Sequence, residues 1–141
     1  MKIEHFQLLS AMIAAGAVYG KYGMHDTYSI TNKDGVLHSE NLPAQIRFGP
    51  HHFNIHWYIN GKAHREGGPA YIDANGEGWI IHGQYHRSDG PAKILYNPKV
   101  TTYGIKEVWY KHGVVHREGG PAKTYFDGRY PPEYWINGER I

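Results

Sequence analysis

The stretch Trp57–Ala70, which reads WYINGKAHREGGPA, decides the fold because its pattern returns twice further along the chain. The second copy is Trp79–Ala92, WIIHGQYHRSDGPA, and the third is Trp109–Ala122, WYKHGVVHREGGPA. All three fit W-x-x-x-G-x-x-H-R-x-x-G-P-A without a gap. A pattern that recurs every 20 to 50 residues or so is typical of repeat architectures, in which each copy is one structural unit.

Two incomplete copies flank the three full ones. The first keeps the spacing at four positions: Gly35, His38, Pro43 and Ala44. Ser39 stands there in place of Arg, and the last copy begins at Tyr134 and stops at Ile141. Atypical terminal units are usual in stacked arrays.

The copies divide the chain into two parts. Residues 1–29 form an N-terminal helix and lead-in segment, and residues 30–141 form the tandem repeats. The expected units lie near residues 30–52, 53–78, 79–104 and 105–130, with a partial unit at 131–141.

Each copy predicts a β-hairpin. Asn60-Gly61 is a strong signal for a two-residue turn because both residue types accept positive φ, and His82-Gly83 and His112-Gly113 are weaker versions. Such turns place a Trp opposite a His on one face: Trp57 with His64, Trp79 with His86, and Trp109 with His116. The other face would carry the repeated Arg and three further pairs: Tyr58 with Ala63, Ile80 with Tyr85, and Tyr110 with Val115.

The expected fold class is all-β, an antiparallel meander of tandem β-hairpin repeats. The Gly-Pro-Ala segments suit the start of a strand, since Pro donates no backbone hydrogen bond. We expect two strands per unit and about eight to ten short strands in total. Inserted residues near 97–102 lengthen one connection. A short helix near residues 5–18 would precede them; Glu4, His5 and Gln7 favour it over a secretory signal.

The repeated units resemble MORN-like repeats, in a W-Y-x-N-G-x-x-H-R-x-x-G-P-A variant found in uncharacterised phage and bacterial proteins. The resemblance covers about residues 30–141. It implies an elongated, twisted β-sheet of stacked hairpins that serves as an interaction platform. Standard MORN units are richer in Tyr-x-Gly patterns and lack the His-Arg step, so lipid ligands of the family do not carry over.

Composition limits the classes of partner. The 141 residues suit one domain, and 15 Lys and Arg against 13 Asp and Glu leave a net charge of +2. Such a small charge is unlike the basic footprint of most nucleic-acid binders. The chain has no cysteine, which excludes disulfides and Cys-based zinc sites and fits a reducing compartment. We therefore expect a cytoplasmic protein, in the host cell if a phage encodes it.

The repeated Arg, Trp and Tyr residues are the candidate binding residues, and two interpretations of them stay open. The arginines could form a ladder that grips carboxylates or phosphates, while the rings offer a stacking platform. Alternatively, each His packs on its cross-strand Trp, each Arg stacks on a ring or bonds turn carbonyls, and each Trp fills the space between hairpins. Recurrence in every full unit favours the second interpretation. The candidates are Arg65, Arg87, Arg117, Trp57, Trp79, Trp109, Tyr58 and Tyr110.

Metal binding and catalysis have little support in the sequence. His52 and His56 would point the same way in a strand, beside His51, but no nearby Asp, Glu or Cys completes a ligand set. The sequence contains no G-x-S-x-G, H-E-x-x-H or phosphate-loop motif. We expect no cofactor and no enzymatic activity.

The leading hypothesis is a non-enzymatic module that binds a protein through its repeat sheet. By analogy with phage-borne relatives of the repeat, it would inhibit a host or defence protein. One alternative is nucleic-acid or nucleotide binding through the Arg and aromatic ladder. Another is a structural component of a virion or larger assembly, since open sheet edges can pair with neighbours and form oligomers. The apolar run Leu8–Val18 is too short to span a bilayer, so no membrane is expected.

Overall fold

A computed structural model describes residues 2–141; Met1, the first residue of the predicted lead-in segment, lies outside the described residues. One helix, α1 (Ile3–Ala14), precedes the strands. Nine strands form one sheet: β1 (Val18–Tyr22), β2 (His25–Ser29), β3 (Gln45–Gly49), β4 (His52–His56), β7 (Tyr71–Asp73), β8 (Gly76–Gly78), β11 (Lys93–Leu95), β12 (Ile105–Val108) and β15 (Lys123–Tyr125).

Eight shorter strands form four two-stranded hairpins. They are β5 (Tyr58–Ile59) with β6 (Lys62–Ala63), β9 (Ile80–Ile81) with β10 (Gln84–Tyr85), β13 (Tyr110–Lys111) with β14 (Val114–Val115), and β16 (Trp135–Ile136) with β17 (Glu139–Arg140). We call these four hairpins together the hairpin stack. Two short 3-10 turns, Pro98–Val100 and Phe126–Gly128, lie in the connections after β11 and β15.

The nine-stranded sheet is an antiparallel meander, because its strands pair in the order in which the chain reaches them. The predicted all-β class with a short N-terminal helix is confirmed at this level. The expected number of strands, about eight to ten, is wrong, since residues 2–141 hold 17 strand segments.

The strand count differs because, at each Trp, the chain leaves the hydrogen-bond ladder of the main sheet and enters that of a hairpin. The Trp57 N–H donates to the Ala70 carbonyl, beside the main sheet, whereas the Trp57 carbonyl accepts from the His64 N–H inside the hairpin. Trp79 and Trp109 make the same two kinds of bond. Each hairpin is thus a separate small ladder, attached to the main sheet at its Trp.

The hairpin registers agree with the sequence prediction. Tyr58 pairs with Ala63, Ile80 with Tyr85, and Tyr110 with Val115. Both residues of the Asn60-Gly61 turn have positive φ, 47° and 77°. The same holds at the three later turns, His82-Gly83, His112-Gly113 and Asn137-Gly138, as a two-residue hairpin turn requires.

The main core lies between α1 and one face of the sheet. Met12 of the helix, Ile46, Ile55 and Trp57 are buried together. Cross-strand pairing places Tyr28, Ile46, Ile55 and Ile72 in one row on that face. Burial of this apolar row is what attaches the helix to the sheet.

The N-terminal region differs from the prediction in two respects. The helix spans Ile3–Ala14 rather than residues 5–18, since Gly16 adopts a φ of 90° and Val18 already belongs to β1. The rest of the expected lead-in folds as a hairpin of β1 and β2 that extends the sheet. The turn-forming Gly23 between two Tyr-containing runs is the signal that could have revealed it.

Candidate functional site

Each repeated Arg lies flat against the Trp of its own unit. The Arg65 Cζ is 3.9 Å from the centroid of the Trp57 ring, and Arg87 and Arg117 lie 3.8 Å from Trp79 and Trp109. Each guanidinium also donates to the carbonyl of the Pro four residues later, at 3.1, 3.2 and 3.0 Å respectively. Stacking and hydrogen bonding therefore occupy these groups within the unit.

The glycine before each repeated Pro makes room for the guanidinium. A Cβ at Gly68 would lie 2.7 Å from the Arg65 Cζ, and one at Gly90 would lie 2.6 Å from the Arg87 Cζ. Gly120 has the same relation to Arg117, at 2.8 Å. The Trp, Arg, Gly and Pro of the motif thus form one internal contact, which accounts for their joint recurrence.

The expected position of Arg on the tyrosine face is wrong. Strict alternation along the strand would place Arg65 on the face of the hairpin that does not carry Trp57. Instead, the Arg65 N–H donates to the carbonyl of Ile80, in the next hairpin, at 3.0 Å. The chain has left its own ladder after His64, so the alternation ends there and the side chain returns to the Trp.

Each motif His connects its hairpin to the next one. The His82 N–H donates to Nδ1 of His64 at 3.0 Å, and the His112 N–H donates to Nδ1 of His86 at 3.0 Å. His38 accepts in the same way from Asn60 at 3.0 Å, and His116 accepts from Asn137 at 3.1 Å. We call His38, His64, His86 and His116 the histidine ladder.

The histidine ladder runs parallel to backbone bonds between the same hairpins. The Gly83 N–H donates to the Ala63 carbonyl at 2.8 Å, and the Gly113 N–H donates to the Tyr85 carbonyl at 2.8 Å. Together with the Arg N–H bonds, each joint between consecutive hairpins of the full units has three hydrogen bonds. Sequence reasoning missed the ladder, since it expected each His to pack on its cross-strand Trp.

Trp57 is buried, whereas Trp79 and Trp109 are half-buried. Trp57 is 5% exposed and belongs to the main core. The Trp79 Nε1–H donates to the Glu77 carboxylate at 3.2 Å, whereas Trp109 Nε1 is buried without a hydrogen-bond partner among the described residues. These surroundings favour the space-filling interpretation over a stacking platform.

The two candidate tyrosines also have partners within the chain. The Tyr58 hydroxyl is 3.1 Å from Nδ1 of His56, and the Tyr110 ring stacks on Tyr85 with centroids 5.1 Å apart. The Tyr85 hydroxyl in turn lies 3.2 Å from that of Tyr71 on the main sheet. Burial lowers the pKa of His56 and raises those of Tyr71 and Tyr110. This aromatic layer joins the hairpins to the sheet.

The three histidines near the first full unit do not converge. His52 packs edge-on against His25, with ring centroids 4.3 Å apart, while His56 bonds Tyr58. Within residues 2–141, no group of three or more His, Cys, Asp or Glu side chains is arranged to hold a metal ion.

One group of exposed aromatic side chains lies at the connections opposite the hairpins. We define the loop edge as residues 96–104 and 126–130. Tyr103 is 63% exposed there, and Tyr96 and Tyr130 are also exposed. A groove of about 200 Å³ lies between the two segments; its lining includes Lys99, Tyr103, Phe126, Arg129 and Tyr130. The inserted residues near 97–102, which the sequence predicts only as a longer connection, form part of this edge.

In the described part of the chain, no helix is long and apolar enough to cross a membrane. No family model, curated protein or solved structure matches this chain.

Proposed function

We propose that the chain is a non-enzymatic protein-binding module, in which the hairpin stack is a scaffold and the loop edge contacts the partner. One observation carries this proposal: the repeated Arg and His groups are bonded within the chain, whereas Tyr103 and Tyr130 of the loop edge are exposed. Tyr and Arg are the residue types that most often anchor protein interfaces. Binding residues are also common on loops that a rigid scaffold positions.

The groove at the loop edge fits a protein partner better than a small molecule. At about 200 Å³ it is smaller than the 300 to 1,000 Å³ or so of typical small-molecule pockets. Lys99 and Arg129 line it together with exposed rings. An acidic or polar segment with one apolar anchor would complement this mixture.

The MORN-like resemblance supports the proposal, because it implies an interaction platform. If the chain is phage-encoded, a host or defence protein that it inhibits would be the first partner to seek, in the host cytoplasm. We do not favour the nucleic-acid alternative, since the three arginines it relies on are stacked on Trp rings and bonded to Pro carbonyls.

The test is affinity capture from a lysate with three forms of the protein. The first is the wild type, and the second carries Tyr103→Ser, Arg129→Ser and Tyr130→Ser at the loop edge. The third is a matched control with exposed hairpin residues changed: Lys62→Ser, Gln84→Ser and Lys111→Ser. Circular dichroism checks that all three are folded.

We expect one protein to be captured by the wild type and the control, and its recovery to fall at least about tenfold with the loop-edge variant, as loss of anchors predicts. Capture should persist when salt is raised well above about 0.15 M, because an aromatic-anchored interface is weakly screened. Equal capture by the loop-edge variant would contradict the assigned surface. Capture of nucleic acid that is lost at high salt would contradict the class of partner.

A further inference from the structure

The strand β1 is a free edge of the nine-stranded sheet. Among residues 2–141 it pairs with β2 alone, and Val18 and Tyr22 are 71% and 63% exposed. The strand contains no proline and one charged residue, Lys21. Natural proteins usually protect such edges, because unpaired N–H and C=O groups are a template for another strand.

The turn after β1 fixes which backbone groups face outward. Gly23 and Met24 form a two-residue connection, so Tyr22 and His25 are the closing pair and bond each other. Hydrogen bonding alternates along an antiparallel strand. Val18, Gly20 and Tyr22 therefore bond β2, and the N–H and C=O groups of Tyr19 and Lys21 point away from the sheet.

We propose that two copies of the chain pair antiparallel through β1, about a twofold axis that passes through Gly20. Gly20 is the middle residue of β1, so this register pairs all five strand residues of each copy. Tyr19 then lies opposite Lys21 of the second copy, and the outward N–H and C=O groups of both residues are satisfied. The two sheets become one continuous sheet.

The side chains are self-complementary in this register. Val18 and Tyr22 share one face, so the exposed Val18 of one copy meets the exposed Tyr22 of the other. On the opposite face, Lys21 meets a Tyr ring rather than the second Lys21, which avoids like charges. The Tyr19 hydroxyl donates to the Asp26 carboxylate at 2.6 Å, so a negative group lies near the incoming ammonium. A surface that complements itself is what a twofold interface requires.

Sedimentation equilibrium over a range of concentrations tests the pairing. The wild type should approach twice the chain mass of 16.1 kDa. Tyr19→Lys places a second positive charge opposite Lys21 and should raise the dissociation constant at least about tenfold. The double variant Tyr19→Lys with Lys21→Glu places opposite charges across the axis and should restore the dimer. Lys62→Glu, an exposed change on the hairpin stack, is the control and should leave the mass unchanged.

A wild type that keeps the single-chain mass at every concentration would overturn the proposal. So would a Tyr19→Lys variant that dimerises normally, or a double variant that stays monomeric while folded. Should circular dichroism show that Tyr19→Lys is unfolded, Lys21→Pro provides the same test, because it removes an outward N–H and no bond to β2. A dimeric Lys21→Pro variant would likewise overturn the pairing.

Discussion

The connections at the two ends of the sheet strands differ in how regular they are. At one end the four hairpin turns are nearly identical: each has two residues with positive φ, and each first turn residue donates to a His of the preceding unit. At the other end the connections vary, from the short turns at residues 50–51 and 74–75 to the irregular segments 96–104 and 126–130. The uniform end uses its polar groups internally, and the variable end exposes aromatic ones.

The difference separates the parts of the sequence that build the scaffold from those available for recognition. A residue that recurs in every unit serves a structural role common to all units, which is to bond the next unit. A residue that appears once is available for a role that only one unit performs, such as recognition of a partner. Substitutions at the two ends should therefore differ in kind as well as in size.

The largest effect is expected for Trp57→Ala. Trp57 is buried in the main core, and its removal should lower the free energy of unfolding by about 3–5 kcal/mol. Tyr103→Ala, at the loop edge, should change it by no more than about 0.5 kcal/mol. Urea denaturation followed by circular dichroism measures both. Similar losses for the two variants would remove the distinction between the ends.

A smaller effect is expected for Arg87→Ala. This change removes the stack on Trp79 and the bond to the Pro91 carbonyl, which together should cost about 1–2 kcal/mol. Arg87→Lys keeps the charge without the planar fork and should recover part of the loss. Arg129→Ala is the exposed control and should have almost no effect on the urea midpoint. Full stability of Arg87→Ala would show that the stack does not support the fold.

His86 of the histidine ladder predicts a pH dependence of stability. It accepts at Nδ1, so protonation of that nitrogen breaks the bond. Burial lowers the pKa of His86 below its ordinary 6.5, with help from His112 and Lys111. The unfolded chain then takes up the proton first as the pH falls. The stabilisation is complete above about pH 6.5 and is lost as the pH falls through the window below it.

A variant of His86 isolates this contribution. In His86→Asn the amide oxygen can accept at the place of Nδ1 but does not titrate. Between about pH 7.5 and 5.5, the wild type should lose more stability than this variant, because only the wild type takes up a proton on unfolding. Urea midpoints at the two pH values give the difference. An identical pH response in both proteins would show that His86 does not titrate with unfolding.

The sequence predicts local structure better than the joints between units. The register of each hairpin follows from the positions of Asn60-Gly61 and its equivalents, because a two-residue turn leaves one pairing. The bond from His82 to Nδ1 of His64 depends on how one hairpin stacks on the next, and no periodicity encodes that distance. The stacking of Arg65 on a ring was anticipated, but its place on the Trp57 face was not, since that follows from a bond to Ile80 in the next unit.

The N-terminal region and the loop edge were harder to anticipate because neither repeats. The hairpin formed by β1 and β2 reverses direction at Gly23, and it lacks the His-Arg step that marks the other units. The exposure of Tyr103 and Tyr130 depends on how two separate connections lie side by side. Only the unrepeated length of residues 97–102 indicated that this end of the molecule differs.

Each ladder His accepts a hydrogen bond from the next hairpin, and the protonation state of its two imidazole nitrogens tests this most directly. Long-range proton–nitrogen NMR spectra at neutral pH distinguish a protonated from an unprotonated Nδ1. We expect His38, His64, His86 and His116 all to carry their proton on Nε2. That form also suits the 3.7 Å approach of the His116 Nε2 to the Glu118 carboxylate. A proton on Nδ1 of the ladder histidines would contradict the proposed coupling between hairpins.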